Sequence, residues 1–198
     1  HNMSSIKLTA DSGGGTFEIK APSSSGNTRV LTLPDTGNLT LHGGRILQVV
    51  QATKGDVFTT TSTSNVDVTG LSASITPAST SNKILVLVYL NAIVTASTNR
   101  YGGRMQLVRD STDIARGAAD GNRVRCTTGL SGDGSTFAQN VGINFLDSPS
   151  STSSLTYKVQ VAHTQGINIR INGSEDDSDS ATYGQRHLSS IILMEVAV

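Results

Sequence analysis

The chain has 198 residues, with 15 Lys and Arg against 15 Asp and Glu, one Cys, no Trp and 20 Gly, and about a quarter of it is Ser or Thr. That balance leaves no basic excess to neutralise nucleic-acid phosphates, and no apolar run nears the ~20 residues of a membrane-spanning helix. A lone Cys126 makes neither an internal disulfide nor a Cys-based metal cage, and the length suits one domain plus a short extra segment. Ser, Thr, Val, Ile, Gly and Asn dominate over strong helix formers, and no window of about 12 residues carries a helical apolar period. The sequence therefore predicts an all-β chain.

In chain order, His1-Asn2 ahead of Met3 reads as an expression remnant, so residues 1–3 are set aside. Residues 4–44 repeat short β-like pieces: Ile6-Lys7-Leu8, Phe17-Glu18-Ile19, Val30-Leu31-Thr32-Leu33 and Leu39-Thr40-Leu41. Ser- and Gly-rich breaks separate them, with Pro34-Asp35-Thr36-Gly37 as a turn. These pieces carry too little apolar surface for a core of their own. Either neighbouring chains complete them, as in a thin shaft, or they form a flexible arm.

Residues 45–198 predict a domain of many short strands with polar turns, a β-sandwich or a barrel. Val66 and Val68 flank Asp67, and Met105 and Leu107 flank Gln106. Val141-Gly142-Ile143-Asn144-Phe145, Leu155 to Val161 and Ile167 to Asn172 alternate apolar with polar, as half-buried strands do. Turn clusters at 99–103, 131–135 and 147–154 separate them. Two runs break the alternation: Ile84-Leu85-Val86-Leu87-Val88-Tyr89-Leu90 and Ile191-Ile192-Leu193-Met194. An antiparallel sandwich strand normally shows one face to water. A second apolar face needs cover, from a loop or from a second copy of the chain. In the second case Leu85, Leu87, Tyr89, Ile191 and Leu193 form a subunit interface.

The segments Gly15-Thr16-Phe17-Glu18-Ile19-Lys20-Ala21-Pro22 and Arg29-Val30-Leu31-Thr32-Leu33-Pro34-Asp35-Thr36-Gly37-Asn38-Leu39 resemble the repeating shaft segments of tailed-phage fibre proteins. Ile75-Thr76-Pro77 with Ser81-Asn82-Lys83-Ile84-Leu85-Val86, and the closing Leu188 to Val196, are similar to the first and last parts of their small head domains. The resemblance covers most of the chain in pieces. It implies a homotrimer in the virion, outside the cell, with a jelly-roll head akin to the TNF/C1q type. It also implies attachment to a host cell-surface glycan or protein, with the rest of the fibre or virion as a further partner, and no membrane insertion.

Chemistry-bearing patterns are sparse. His42, His163 and His187 lack a metal-ligand spacing, no Ser sits in G-x-S-x-G, and Ser131 to Ser135 is a turn without the Lys of a phosphate loop. Cys126 reads as a small apolar filler. Glu175, Asp176, Asp177 and Asp179 crowd one stretch and are weak cation candidates, but they lack the spacing of a calcium loop. Arg100, Arg104, Arg109, Arg116, Arg123 and Arg125 fall near Asp110, Asp113 and Asp120. They keep strand edges soluble, contact an anionic glycan, or pair with a neighbour's acidic stretch. The expected attachment residues are Tyr101, Arg104, Arg123, Arg125 and Tyr183. The expectation is a non-enzymatic protein with no cofactor; the alternative is a purely structural head fibre or decoration protein. A glycan-cleaving tailspike fits poorly, because a chain without Trp offers little aromatic platform for a sugar chain.

Overall fold

The structure, a computed structural model, describes residues 5–9, 16–20, 45–95, 102–130, 138–165, 167–175, 177–182 and 184–198. The chain divides into two compact units, His1–Leu41 and His42–Val198. In the first, β1 (Ser5–Thr9) pairs antiparallel with β2 (Thr16–Lys20), from Ser5 opposite Lys20 to Thr9 opposite Thr16. These are two of the four expected pieces; Val30–Leu33 and Leu39–Leu41 lie outside the described residues.

The second unit is all-β, with no helix among its described residues. Its strands are β3 (Ile46–Lys54), β4 (Phe58–Thr60), β5 (Val66–Ile75), β6 (Lys83–Val94), β7 (Gly103–Arg109) and β8 (Thr112–Ile114). They continue with β9 (Thr128–Leu130), β10 (Gln139–Asp147), β11 (Leu155–His163), β12 (Ile169–Ile171) and β13 (Ser189–Val196). One sheet runs β3-β13-β6-β10, with β12 and β4 continuing it beyond the start of β13. The other runs β5-β11-β7, and β8 and β9 share the outer edge of β7. If β8 and β9 count as one interrupted strand, eight principal strands pair as first-eighth-third-sixth and second-seventh-fourth-fifth. That is the jelly-roll order.

Alternation explains how the sandwich closes. The inward residues Val68, Leu71, Ile75, Ile84, Val86, Val88, Leu90, Met105, Leu107, Tyr157, Val159, Val161, Ile191 and Leu193 make one core. Alternate side chains on each strand project between the sheets, so burying them fixes the register. One defect interrupts β5. Between Asp67, opposite Gln160, and Ser72, opposite Lys158, the strand bulges through Gly70, whose φ of +83° suits a residue without Cβ. The bulge restores parity, so Val68 and Leu71 both face inward.

The register also defines two ends. Arg45, the start of β6 and the end of β13 lie at one, where the Ala197 amide donates to the Arg45 carbonyl. The end of β6, the start of β10 and the start of β13 lie at the other. At the Arg45 end, Glu195 is buried and holds the 76–82 connection in place. It accepts from the Ala78 amide at 2.7 Å, Asn82 Nδ2 at 2.5 Å and Gln48 Nε2 at 2.6 Å. At the far end, Asn172 Nδ2 donates to the Lys54 carbonyl, and Ser189 Oγ donates to Asn172 Oδ1. These bonds tie the 172–188 connection to the sheet, as buried polar groups require.

Candidate functional site

The outer face of the β3-β13-β6-β10 sheet carries the least expected chemistry. Reading across its register, Val49 lies opposite Met194, Met194 opposite Leu85, and Leu85 opposite Leu146. Four strands thus contribute one continuous apolar row, and Val49 is 56% and Leu146 47% exposed. The next outward row is Gln51, Ile192, Leu87 and Asn144; the one after it is Thr53, Ser190, Tyr89 and Gly142. Towards Arg45 a bulge between Glu195 and Val196 leaves Ile46 and Leu47 exposed beside this face. Lys83 is the one charged residue among the described outward positions of these four strands. The face therefore grades from apolar at the Arg45 end to polar at the other.

The expected interface residues divide across this geometry. Leu85, Leu87 and Tyr89 face outward, and no described loop covers them: the first two are partly buried and Tyr89 is half exposed. Ile191 and Leu193 are corrected by the structure. Both are fully buried in the core of a single chain, and Ile192 and Met194 present the outer face of β13 instead. Strand parity is the cause, since neighbouring side chains point to opposite faces. Among the described residues, the loop-roof alternative fits the far end of β6 and nowhere else along it. There Asn91 is buried, and its Nδ2 donates to the Leu188 carbonyl at 2.7 Å.

Tyr101 and Tyr183 lie outside the described residues, as do Arg100 and Asp176. Arg104 projects from β7, where its guanidinium donates to Asn65 Oδ1 and the Thr63 carbonyl. Arg123 and Arg125 sit in the excursion between β8 and β9. Arg123 pairs with Asp120 at 2.9 Å, and Arg125 donates to the Gly117 carbonyl. Arg116 pairs with Asp113 of β8, three residues earlier. In the acidic stretch Asp177 pairs with Arg186, while Arg170 donates to the backbone carbonyl of Glu175 and leaves its carboxylate out of the contact. Asp179 is exposed, and no three His, Cys, Asp or Glu gather to hold a metal among the described residues.

The remaining ionisable groups serve the frame. Tyr157 donates to Asp147 Oδ2 at 2.7 Å, and Arg109 meets the same oxygen at 2.5 Å. Burial, then Asp147, pushes the Tyr157 hydroxyl far above its ordinary range. Burial alone would lower Arg109, but Asp147 outweighs it and holds the guanidinium above its usual value. Burial would likewise raise Glu195, yet the donors from Gln48, Asn82 and Ala78 hold its carboxyl below the normal glutamate value. His163 is fully buried and accepts at Nδ1 from the Gln165 and Ile167 amides.

The structure adds Val49, Leu146, Ile192 and Met194 to the outer face. The sequence signal for them is parity counted from Leu85, together with strand pairings that no single run of residues reveals. A second feature, also new, is a shallow depression of about 470 Å³ at the polar end of the same face. It is lined by Tyr89, Asn91, Ala138, Asn140, Gln185, His187 and Leu188.

No protein-family model matches the chain, and no curated protein sequence does. Among solved structures, the infectious bursal disease virus VP2 subviral particle is similar at 13% identity and a TM-score of 0.39, over 92% of this chain and 42% of that one. Infectious bursal virus derived T=1 particles give 12% identity and a TM-score of 0.39, over 96% of this chain and 44% of that one. The chain thus spans less than half the length of these proteins. Values this low establish neither a shared fold nor a shared role.

Proposed function

We propose that this chain is a non-enzymatic, self-assembling component of a virus particle: a homotrimeric fibre tip that attaches to a host cell surface. The observation that carries the assembly is the apolar row Val49, Met194, Leu85 and Leu146 on the outer face of one sheet. A contiguous exposed apolar patch marks an interaction surface. A near absence of charge favours an identical partner, because around a symmetry axis each charge comes close to its own copies. Leu87 and Ile192 extend the contact, and Tyr89 lies at its polar margin. The viral placement and the number three rest on the resemblance of Gly15–Pro22 and Arg29–Leu39 to fibre-shaft segments. The attachment surface belongs to the loops at the end opposite Arg45, where a rigid sandwich holds them in fixed positions.

Light scattering on a sizing column tests the assembly. Three chains of 20.6 kDa give 61.8 kDa. A stable species of 20.6 kDa would overturn the proposal. Binding of the labelled protein to the cell surface separates a fibre tip from a purely structural head fibre or decoration protein.

A further inference from the structure

We infer that the depression bounded by Tyr89, Asn91, Asn140, Gln185, His187 and Leu188 is a binding site for an uncharged oligosaccharide. The assignment rests on the attachment role proposed above and names the chemical class of its receptor. The site lies where the outer face of the sheet has turned from apolar to polar. Tyr89 stands there between two of the smallest residues, with Gly142 opposite on β10 and Ser190 opposite on β13, and it is 48% exposed. Neither neighbour covers the ring, which leaves an aromatic surface for the C–H face of a pyranose. An aromatic body with a polar hydroxyl is suited to this half-wet position.

The polar groups around that ring are amides. Asn140 lies opposite Asn91 across the β6–β10 pairing. It is exposed, and its side chain makes no hydrogen bond among the described residues. Gln185 is exposed, with Oε1 3.4 Å from His187 Nε2 and its own Nε2 unengaged among the described residues. A carboxamide holds a donor and an acceptor side by side, which matches two adjacent sugar hydroxyls. Two anchors hold this wall in place before any ligand arrives. Asn91 Nδ2 grips the Leu188 carbonyl at 2.7 Å, and the His187 amide donates to the Asn172 carbonyl at 3.1 Å. Fixing the wall in advance lowers the ordering cost of binding.

Charge sets the class. No Lys, Arg, Asp or Glu is among the described residues that line the depression, so against them a sialylated, sulfated or phosphorylated ligand would lose water without meeting a counter-charge. Arg186, next in sequence to Gln185 and His187, is already paired with Asp177. The volume, about 470 Å³, falls in the range of small-ligand sites.

The test uses the full chain on an array of di- to tetrasaccharides. Neutral hexose and N-acetylhexosamine members are set beside sialylated, sulfated and phosphorylated members of equal length. The expected result is binding to neutral members, weakened about tenfold or more by Tyr89→Ala and by Asn140→Ala. Ser74→Ala on the other sheet should leave binding unchanged. Binding only to acidic members, neutral binding that both variants retain, or no binding to any member would each overturn the assignment. The mass of every sample is read by light scattering. A 61.8 kDa protein that ignores all the sugars sinks this site and leaves the assembly standing, whereas a 20.6 kDa protein sinks the assembly itself.

Discussion

The two sheets share a core, an antiparallel weave and similar strand lengths, yet their outer faces differ in chemistry. Outside β5-β11-β7, Ser74 and Thr156 hydrogen-bond at 2.8 Å, and Asp67 meets both Lys158 and Gln160. Where that face covers something, it covers its own chain. Gln106 is buried under the β8–β9 excursion and donates to the Ile114 carbonyl. The other sheet presents Val49, Met194, Leu85 and Leu146 with nothing described above them. One face is finished within the chain; the other, under the assembly proposed above, is finished by a partner. The contrast singles out the outer face that the proposed assembly would use, which strand count alone would not do, because both sheets contribute to the one apolar core.

The sharpest way to break the comparison is within one strand. Leu193 and Met194 are neighbours in sequence but face opposite ways. Leu193→Asp places a carboxyl in a fully buried site and should cost more than about 4 kcal/mol, so that no folded protein is recovered. Met194→Asp should leave the circular dichroism of the folded chain intact while the mass falls from 61.8 to 20.6 kDa. A carboxylate there would meet its own copies across the interface. If Met194→Asp stays fully assembled, the apolar row is not the contact.

A smaller effect is expected at Glu195, which fastens the apolar end of that sheet to the 76–82 connection. Its folded pKa lies below its ordinary value. Its contribution is therefore fully present above the normal glutamate pKa and is lost as pH falls through the lowered one. Glu195→Gln keeps the shape but turns an amide donor towards Gln48 or Asn82, at a cost of about 1–3 kcal/mol. Urea unfolding from about pH 3 to about pH 7 should show a shallower acid loss in the variant than in the parent.

Much of the sandwich was legible in the sequence because alternation survives in single segments. Leu155 to Val161 appears as β11, Val141 to Phe145 falls in β10, and the two-faced Ile84–Leu90 run begins β6. Ile167 to Asn172 narrows to Ile169–Ile171, since Asn172 adopts a φ of 62° and leaves the strand. The facing of β13 was harder to read. Ile191, Leu193 and Glu195 share one parity, and a carboxylate ordinarily marks the wet face. Here three donors from Gln48, Asn82 and Ala78 bring Glu195 inside. Those partners lie far away in sequence, so local pattern alone puts Ile191 and Leu193 outward. The Tyr89 depression was illegible for a similar reason. It joins β6, β10 and the 185–188 segment, and only strand pairing brings them together.

The weakest perturbation completes the contrast from the polar side. Lys158→Ala removes the 2.9 Å pair with Asp67, whose carboxyl sits below its ordinary pKa: burial would raise it, but Lys158 and Gln160 outweigh that. Asp67 is about half exposed, so water replaces the lost partner, and exposed pairs of this kind are worth about 0.2–1 kcal/mol. Gln160 Nε2 still donates to Asp67 Oδ1 at 2.6 Å, which leaves the carboxylate partnered. The variant should unfold within about 1 kcal/mol of the parent and keep the parent's mass on the sizing column. If Lys158→Ala dissociates the assembly as Met194→Asp is expected to, then the β5-β11-β7 face also carries a partner. In that case its polar surface would be a wet interface rather than a finished exterior.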